Sequence, residues 1–418
     1  MGKIGNYRWR IVALLFFATT INYLDRQVLG ILAPGLQKEF FWTESDYGLI
    51  IAAFQAAYAI GLLTTGRLLD KIGIRLGYTL AIVIWSLAGM LHAAAGSAIS
   101  FAVARFGLGL GESANFPAAV KTVGEWFPQK ERALATGLFN SGSNIGAILA
   151  PLLVPLIALH WGWQWAFIAT GALGFIWLLF WIPVYRSPEQ HKKLKSTELD
   201  YILQDGRGKE EKVPWRKMFY YRQTLGITLS LFFTAPIWWF FLYWLPKFLY
   251  TNHGINLTDI GLPLIIIYLV SDGGAILGGW LSSYMVKRGV DPIRARKRSI
   301  LILAFLVVPI FLAAFTASLW LAVLLIALAA FAHQGYASNI FTIISDIYPK
   351  NAVGSMVGLS LFAGSVGGVL FSSAVGFVLE RTGNYYLIFS FASVAYLISW
   401  LFLKLFVPDR KTIKVVEA

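Results

Sequence analysis

Cysteine and charge are what this sequence lacks. None of its 418 residues is cysteine, which excludes disulfide bonds and any thiolate metal or redox site. Only 13% of the residues are charged, whereas 57% are hydrophobic and the mean hydropathy is +0.66. A water-soluble globular protein of this length needs far more polar surface. The composition therefore excludes that class and indicates a polytopic membrane protein.

Histidine is also scarce, which disfavours a membrane enzyme. The five histidines lie far apart along the chain, without the spacing of metal ligands. Ser143, in the stretch SGSNIG, has no histidine partner that the sequence reveals. We therefore predict neither catalytic residues nor a metal or cofactor. A sensor would need a soluble output domain, and the polar segments are too short for one.

Apolar segments predict twelve membrane-spanning helices. A bilayer needs about 20 apolar residues per helix, and only helices or closed barrels satisfy the backbone in lipid. The basic residues lie mainly in alternate loops, which by the positive-inside rule puts both termini in the cytoplasm and the protein in the cell (inner) membrane. The predicted spans are residues 9–32, 45–66, 76–96, 98–123, 133–158, 163–185, 223–249, 260–285, 298–317, 319–345, 352–379 and 384–407.

One long polar segment divides the spans into two groups of six. Residues 187–222 are predicted to form a cytoplasmic linker, with a short surface helix near Thr197 and Asp200. The predicted domains on either side are residues 1–186 and 223–418. The formal net charge of +14 resides in such loops, so it does not indicate nucleic-acid binding.

The two halves are weakly similar to each other. WFPQKERALATGLFNSGSNIG aligns without a gap with IYPKNAVGSMVGLSLFAGSVG at an offset of 221 residues, which matches Pro128 with Pro349 and Gly146 with Gly367. The agreement with the division at the linker indicates a duplication. This organisation is typical of transporters whose site lies between two repeats.

Two charged residues lie within the predicted fourth span. Arg105 and Glu112 are seven residues apart, so they leave the same face of a helix about 10 Å apart along its axis. Asn115 lies close to that face. Each charge at bilayer depth costs about 2.5–3.5 kcal/mol, so we interpret this face as the wall of a translocation site. The alternative is a buried ion pair that only holds helices together.

A second polar face lies on the first span. Asn22, Tyr23, Asp25 and Arg26 fall within about 160° of the helix circumference. A guanidinium group can bind a carboxylate through two parallel hydrogen bonds, so Arg26 and Arg105 predict an anionic substrate.

Asp25 and Glu112 are the candidates for proton coupling. Burial favours the protonated form of a carboxyl group, whereas a nearby arginine favours the ionised form. A helix movement that alters either effect can load or unload a proton. The alternative is permanent ion pairing without titration.

The loop after the second span carries a family signature. GRLLDKIGIR, from Gly66 to Arg75, contains every position of the Gly-x-Leu-x-Asp-x-x-Gly-x-Arg motif of the major facilitator superfamily. The resemblance implies an all-α fold of twelve helices in two six-helix halves around a central cavity. The second-half counterpart, GGWLSSYMVKRG, has Ser283 where the acid would fall.

Further stretches resemble one branch of that superfamily. NYLDR, AAFQAAYA, RFGLGLGESANFPA and WFPQKERALATG are similar to the anion:cation symporter family, and LVSDGGAILGGWL and FAHQGYASNIFTIISDIYPKN to its hexuronate transporters. The resemblance implies proton-coupled symport of a sugar-acid anion, glucuronate or galacturonate, by alternating access. Uptake of another organic anion such as galactonate, or anion exchange, is the alternative. We expect a monomer.

The resemblance also implies roles for individual residues. Arg26 and Tyr23 are expected at the substrate carboxylate, with Tyr58 nearby, although Tyr58 could instead bond between helices. A cytoplasmic gate cluster is expected from Asp70, Arg75 and Arg132.

In the second half, neutral amides and aromatic rings suit a sugar. Gln334 and Asn339 are predicted to bind hydroxyl groups, and Ser143 of the first half is added to this set. Trp239 is a candidate for the sugar face, or else a lipid anchor. The sequence leaves the roles of three residues open, namely Asp272, His333 and Lys121.

Overall fold

The computed structural model describes residues 5–204, 218, 220–348 and 350–409, without the side chains of residues 129, 130, 132, 133, 350 and 351. The chain forms two compact units, each considered by itself. Unit 1 comprises residues 1–32 and 53–209, and unit 2 comprises residues 33–52 and 210–418. The predicted division into domains 1–186, 187–222 and 223–418 stays a prediction.

The helices of unit 1 follow the predicted spans closely. Helix α1 and helix α2 each have one end in unit 2, because residues 33–52 belong there. A short helix, α8, lies in the predicted linker. The bounds are α1 Tyr7–Phe40, α2 Glu44–Ile72, α3 Ile74–Leu91, α4 Ala98–Glu112, α5 Asn115–Trp126, α6 Gln129–Trp161, α7 Trp163–Val184 and α8 Ser196–Leu203.

Unit 2 is built from long helices as well. The short α10 follows α9 almost directly, and α12 continues as a 3₁₀ segment over Val308–Ala314. The bounds are α9 Arg222–Tyr243, α10 Leu245–His253, α11 Gly261–Lys287, α12 Pro292–Val307, α13 Leu319–Ile347, α14 Lys350–Thr382 and α15 Tyr386–Phe406.

Among the described residues, ten helices are long and apolar enough to cross a membrane. The two predicted spans outside this set are the first and the fourth, which hold the predicted proton-coupling residues Asp25 and Glu112. Polar side chains from Asn22 to Gln27 interrupt the apolar run of α1, and α4 ends after 15 residues. The predicted all-α membrane fold is confirmed, and the two spans outside this set hold the buried residues Arg26, Arg105 and Glu112.

The predicted fourth span is two helices rather than one. Helix α4 ends at Glu112, and α5 begins at Asn115. Pro117 has no backbone N–H to donate to the Ser113 carbonyl, as a continuous helix would require. The Ser113 hydroxyl donates to the Leu110 carbonyl (2.7 Å). The break therefore falls directly after Glu112.

Glycines bring α4 close to its neighbours. A Cβ atom on Gly109 would lie 2.4 Å from the Phe54 carbonyl oxygen of α2, and one on Gly111 would lie 2.6 Å from the Trp85 amide nitrogen of α3. Both distances are shorter than any real contact of a Cβ atom. Only glycine permits these approaches, which set the depth at which the α4 side chains enter unit 1.

The predicted surface helix near Thr197 and Asp200 is α8, and buried charges fix it to unit 1. Arg8 of α1 donates to Glu131 Oε2 of α6 (2.8 Å) and to Glu198 Oε1 of α8 (3.2 Å). The Tyr201 hydroxyl donates to Glu131 Oε1 (2.7 Å). Both Arg8 and Glu198 are buried. The start of the linker is thus part of the folded unit.

Residues 33–52 are fixed within unit 2 by a buried lysine. Lys247 of α10 is 3% exposed and forms an ion pair with Glu44, the first residue of α2. Its ammonium group also lies 5.4 Å from the centre of the Tyr47 ring, and the Tyr47 hydroxyl donates to the Tyr243 carbonyl (2.5 Å). The ends of α1 and α2 therefore belong to the packing of unit 2.

Candidate substrate and proton site

The centre of the site is the Arg26 side chain on α1. Its Nε and Nη2 atoms donate to the same oxygen of Glu112, Oε2, at 2.9 Å and 2.8 Å. Nη2 also donates to Asn22 Oδ1 (3.1 Å). The side chains of Arg26 and Glu112 are 4% and 0% exposed. The two polar faces predicted from the sequence, on α1 and on α4, therefore meet inside unit 1.

Aromatic rings surround the Arg26 guanidinium group. Its Cζ atom lies 4.7 Å from the centre of the Tyr23 ring, 5.3 Å from that of Phe54 and 5.1 Å from that of Tyr58. Such contacts contribute about 0.5–2 kcal/mol each, depending on how far they are desolvated. Tyr23 and Tyr58 are only half-buried, so this aromatic wall has an accessible side.

Glu112 satisfies Arg26 with one oxygen only. Its second oxygen, Oε1, is buried and has no hydrogen-bond partner among the described residues. An arginine–carboxylate pair is strongest when two parallel N–H groups meet two oxygens. Each buried polar atom without a hydrogen bond costs about 1–3 kcal/mol, so this pair is less stable than a fully bonded one. Arg26 can therefore exchange Glu112 for another carboxylate more easily.

Arg105 was predicted to bind substrate. In the structure its side chain is buried and bonds to the backbone of α1. Its side chain is 1% exposed, and Nη2 donates to the Arg26 backbone carbonyl (3.1 Å). Its Cζ atom lies 5.6 Å from the centre of the Phe54 ring. This geometry supports the backbone of α1 at the site, and the predicted contact with substrate stays a prediction.

Asp25 is a buried carboxyl group that lacks a regular hydrogen bond. It is 3% exposed, and neither oxygen has a partner of ordinary geometry within the described part of the chain. The Thr170 hydroxyl of α7 lies near the carboxyl but donates to the Phe167 carbonyl (3.5 Å). Arg105 and Glu112 are the charged groups that act on Asp25.

Asn115 lies at the start of α5, next to the helix break. Its Oδ1 accepts a hydrogen bond from the Tyr78 hydroxyl (2.5 Å), and its Nδ2 lies 3.4 Å from Thr19 Oγ1. Sequence reasoning missed Tyr78, because a tyrosine in an apolar helix resembles ordinary core packing. The predicted role of Asn115 in substrate binding stays a prediction.

The predicted gate residues have different partners. Lys121 Nζ donates to Asp70 Oδ1 (2.6 Å), whereas Arg75 Nη2 donates to the Ile182 carbonyl (2.7 Å). The Arg132 side chain lies outside the described residues. Sequence reasoning left Lys121 aside because a straight helix turns it away from Glu112. The structure pairs Lys121 with Asp70 of α2.

Three other predicted substrate residues are held by local contacts. The Ser143 hydroxyl donates to the Asn140 carbonyl of its own helix (2.7 Å). Asn339 is 1% exposed, and its amide group donates to the carbonyls of Gly278 (2.9 Å) and Gly335 (2.8 Å). Trp239 is buried and stacks on Tyr243 at 5.8 Å.

Two further polar residues of unit 2 remain accessible or partly satisfied. Gln334 is half-buried on α13. Asp272 of α11 is half-buried, and its Oδ1 has no hydrogen-bond partner in the described chain.

His333 is fixed between Tyr396, whose hydroxyl lies 2.5 Å from Nδ1, and Trp238, whose ring stacks on it at 5.0 Å.

The described residues contain no group of three or more acidic or histidine side chains that could hold a metal ion. Long apolar helices around a buried pair of opposite charges are the architecture of a multi-pass membrane protein. The family model of the Major Facilitator Superfamily matches residues 15–290 and 290–418. The chain belongs to the major facilitator superfamily, as its loop motif predicted.

Two relatives of this chain are named as transporters of sugar acids. It is 36% identical to the hexuronate transporter of Escherichia coli (strain K12), over 92% of this chain and 90% of that protein. It is 33% identical to the D-galactonate transporter of Escherichia coli O6:H1, over 91% of each chain. The predicted similarity to hexuronate transporters is thus confirmed.

A solved structure supports the fold independently. The crystal structure of a D-xylose-proton symporter matches with a TM-score of 0.77 over 97% of this chain and 99% of that one, at 18% identity. At this identity the likeness shows the fold alone.

Proposed function

We propose that this protein is a secondary active transporter that carries a sugar-acid anion, a hexuronate such as glucuronate or galacturonate, together with protons by alternating access. The observation that carries the proposal is the buried pair of Arg26 and Glu112, in which one carboxylate oxygen occupies two N–H groups. The relatives named above support the substrate class.

The substrate carboxylate and Glu112 compete for the same guanidinium group. A free carboxylate presents two oxygens to the fork of N–H groups, whereas Glu112 presents one. Protonation of Glu112 removes its charge and releases Arg26 to the substrate. When Glu112 loses its proton again, it reclaims Arg26 and expels the anion.

Tyr23 and Tyr58 line the accessible side of Arg26 and would contact the bound anion. Their rings give the sugar an apolar wall, and their hydroxyls offer hydrogen bonds to its hydroxyl groups.

The charge balance of four buried ionisable residues favours the transport of one proton with each substrate carboxylate. With Asp25, Arg26, Arg105 and Glu112 all ionised, the site has no net formal charge. One added carboxylate leaves one uncompensated negative charge in an apolar interior, which is costly. A proton on Asp25 or Glu112 restores neutrality. We assign proton coupling to these two acids.

The remaining assignments are part of the same proposal. Asp70, Arg75 and Arg132 are assigned to a cytoplasmic gate, to which the structure adds Lys121 as the partner of Asp70. The charge bias of the loops supports an inner-membrane location with both termini in the cytoplasm. We propose a monomer.

Transport in proteoliposomes tests the proposal. Uptake of labelled glucuronate, galacturonate and galactonate is measured under an imposed pH gradient, and counterflow is measured without one. We expect hexuronate uptake to follow the gradient in the native protein. In Glu112→Gln, counterflow should persist while the response to the gradient disappears.

Glu39→Gln is the matched control, because it removes the same charge from an exposed side chain at the end of α1. It should behave like the native protein. A pH response that is unchanged in both Glu112→Gln and Asp25→Asn would overturn proton coupling by these acids. Preference for galactonate would instead favour the second candidate substrate, for which the D-galactonate relative is the evidence.

A further inference from the structure

The chain folds back on itself directly after α7. His191 is 8% exposed, and its Nε2 donates to the Val184 carbonyl at the end of α7 (3.1 Å). Its ring lies 4.3 Å from the Tyr7 ring of α1 and 5.6 Å from the Trp126 ring of α5, measured between centres. Residues 186–195 are therefore fixed against the ends of three helices of unit 1.

The outer side of this segment is basic. Arg186 and the lysines at 192, 193 and 195 are all exposed, and Glu189 is the one acidic residue between 186 and 195. Arg10 of α1 is exposed as well, and its guanidinium group lies 5.4 Å from the same Tyr7 ring that packs on His191. We name these five basic residues the α7 basic patch.

The position of the patch relative to a bilayer follows from α7. That helix is among those long and apolar enough to cross a membrane, and it ends at Val184. Arg186 is two residues further on, and the contacts of His191 hold the lysines beside the helix ends. The patch is therefore at the depth where phospholipid headgroups lie.

We propose that the α7 basic patch binds the headgroups of anionic phospholipids, of which phosphatidylglycerol is the test case. Four to eight basic residues next to a membrane helix attract anionic lipid by about 1 kcal/mol per residue, which is roughly fivefold in affinity. A headgroup phosphate needs no deep pocket, only exposed cations held in the plane of the membrane surface.

Native mass spectrometry of the full-length protein in detergent tests the proposal. Phosphatidylglycerol and phosphatidylcholine are titrated separately, and the retained lipid is counted. The native protein should retain phosphatidylglycerol at least about tenfold more tightly. The variant K192Q/K193Q/K195Q should lose at least about tenfold of that affinity and keep its weak binding of phosphatidylcholine.

The control variant K287Q/R288Q/R298Q removes the same charge from exposed residues of unit 2. Because these residues also lie beside membrane-spanning helices, phosphatidylglycerol binding should fall, but by a smaller factor than in K192Q/K193Q/K195Q. An equal loss in both variants, or none in K192Q/K193Q/K195Q, would overturn the assignment to this patch. Displacement of the lipid by millimolar inorganic phosphate would also overturn it, in favour of a free-phosphate site.

Added salt provides a second measurement that needs no variant. Raising the ionic strength should weaken retention of phosphatidylglycerol by the native protein but not of phosphatidylcholine. Equal salt sensitivity for the two lipids would contradict the proposal.

Discussion

Helices α4 and α5 of unit 1 and helix α13 of unit 2 occupy equivalent places in the internal repeat but carry different chemistry. The pair spans residues 98–126 and α13 spans residues 319–347, which reproduces the sequence offset of 221. At the same offset, Arg105 corresponds to Ile326 and Glu112 to His333. Helices α6 and α14 also begin and end at equivalent residues.

The two units differ in the partners of the side chains at these matched positions. Glu112 is paired with a guanidinium group, whereas His333 is held by a neutral hydroxyl and an aromatic ring. Helix α13 also continues where α4 breaks, since Ser338 stands at the position equivalent to Pro117. Equivalent helices of the two units therefore carry charged side chains at residues 105 and 112, and an aliphatic and an imidazole side chain at residues 326 and 333.

The largest effect is expected from breaking the buried pair. In Glu112→Leu, Arg26 remains buried without its carboxylate, so we expect a loss of about 3–5 kcal/mol in stability. The double variant R26L/E112L should recover most of that stability and still fail to transport. Thermal unfolding in detergent and uptake into proteoliposomes measure the two effects.

The equivalent change in unit 2 is His333→Leu. It removes one hydrogen bond and leaves transport coupling intact, so a smaller loss of about 1–2 kcal/mol is expected. Equal destabilisation by the two single substitutions would contradict the distinction between the units.

A smaller loss of stability is expected from Gly109→Ala, which adds a methyl group that unit 2 has at the equivalent position. The position equivalent to Gly109 is Ala330. In Gly109→Ala the new Cβ atom meets the Phe54 carbonyl at 2.4 Å, so α4 must move away from α2 at a cost of about 1–3 kcal/mol. The thermal midpoint and the transport rate should both fall.

Gly124→Ala is the control on α5, because a Cβ atom there meets nothing within 4 Å. Helix propensity predicts no loss, and up to about 1 kcal/mol of gain. If Gly109→Ala proved as harmless as this control, close approach of α4 and α2 would not be what positions Glu112.

Substitution in the exposed ion pair of Asp70 and Lys121 tests the proposed role of these residues in a cytoplasmic gate. Unit 2 has Ser283 at the motif position of Asp70 and Thr342 at the position equivalent to Lys121. Because both side chains are partly exposed, Lys121→Gln should cost less than about 1 kcal/mol in stability. Its effect should fall instead on the transport rate. A stability loss as large as that of Glu112→Leu would refute a purely conformational role.

The smallest effect concerns an ion pair at the end of unit 2. The Lys297 ammonium group donates to Asp409 Oδ1 (2.8 Å) and lowers the pKa of that carboxyl below its ordinary value of 3.8, although partial burial opposes the shift. A pKa lowered by folding stabilises the protein above the unfolded value, and this contribution is lost as the pH falls through the folded value.

Asp409→Asn should therefore cost a few tenths of a kcal/mol, at most about 1, at neutral pH and less near pH 3. The test is the difference in thermal midpoint between native protein and variant at the two pH values. A difference that grew on acidification would show that Asp409 does not act through its charge.

The amino-acid sequence by itself determined the class, the spans and the places of buried charge. Apolar runs of membrane length fix where helices form, and helical periodicity fixes which side chains share a face. The predicted spans 319–345 and 352–379 lie within α13 and α14. Pro117 is the residue in the sequence that signals the break after Glu112, where hydropathy alone predicts one continuous span.

Only the tertiary structure decided which partner each polar group takes. Arg26 and Glu112 are 86 residues apart, and their bond depends on how deeply Gly109 and Gly111 let α4 approach its neighbours. Arg105 points to a backbone carbonyl, and Lys121 reaches Asp70 across the bundle. Periodicity describes one helix at a time, whereas pairing depends on the distance between helices, which packing alone sets.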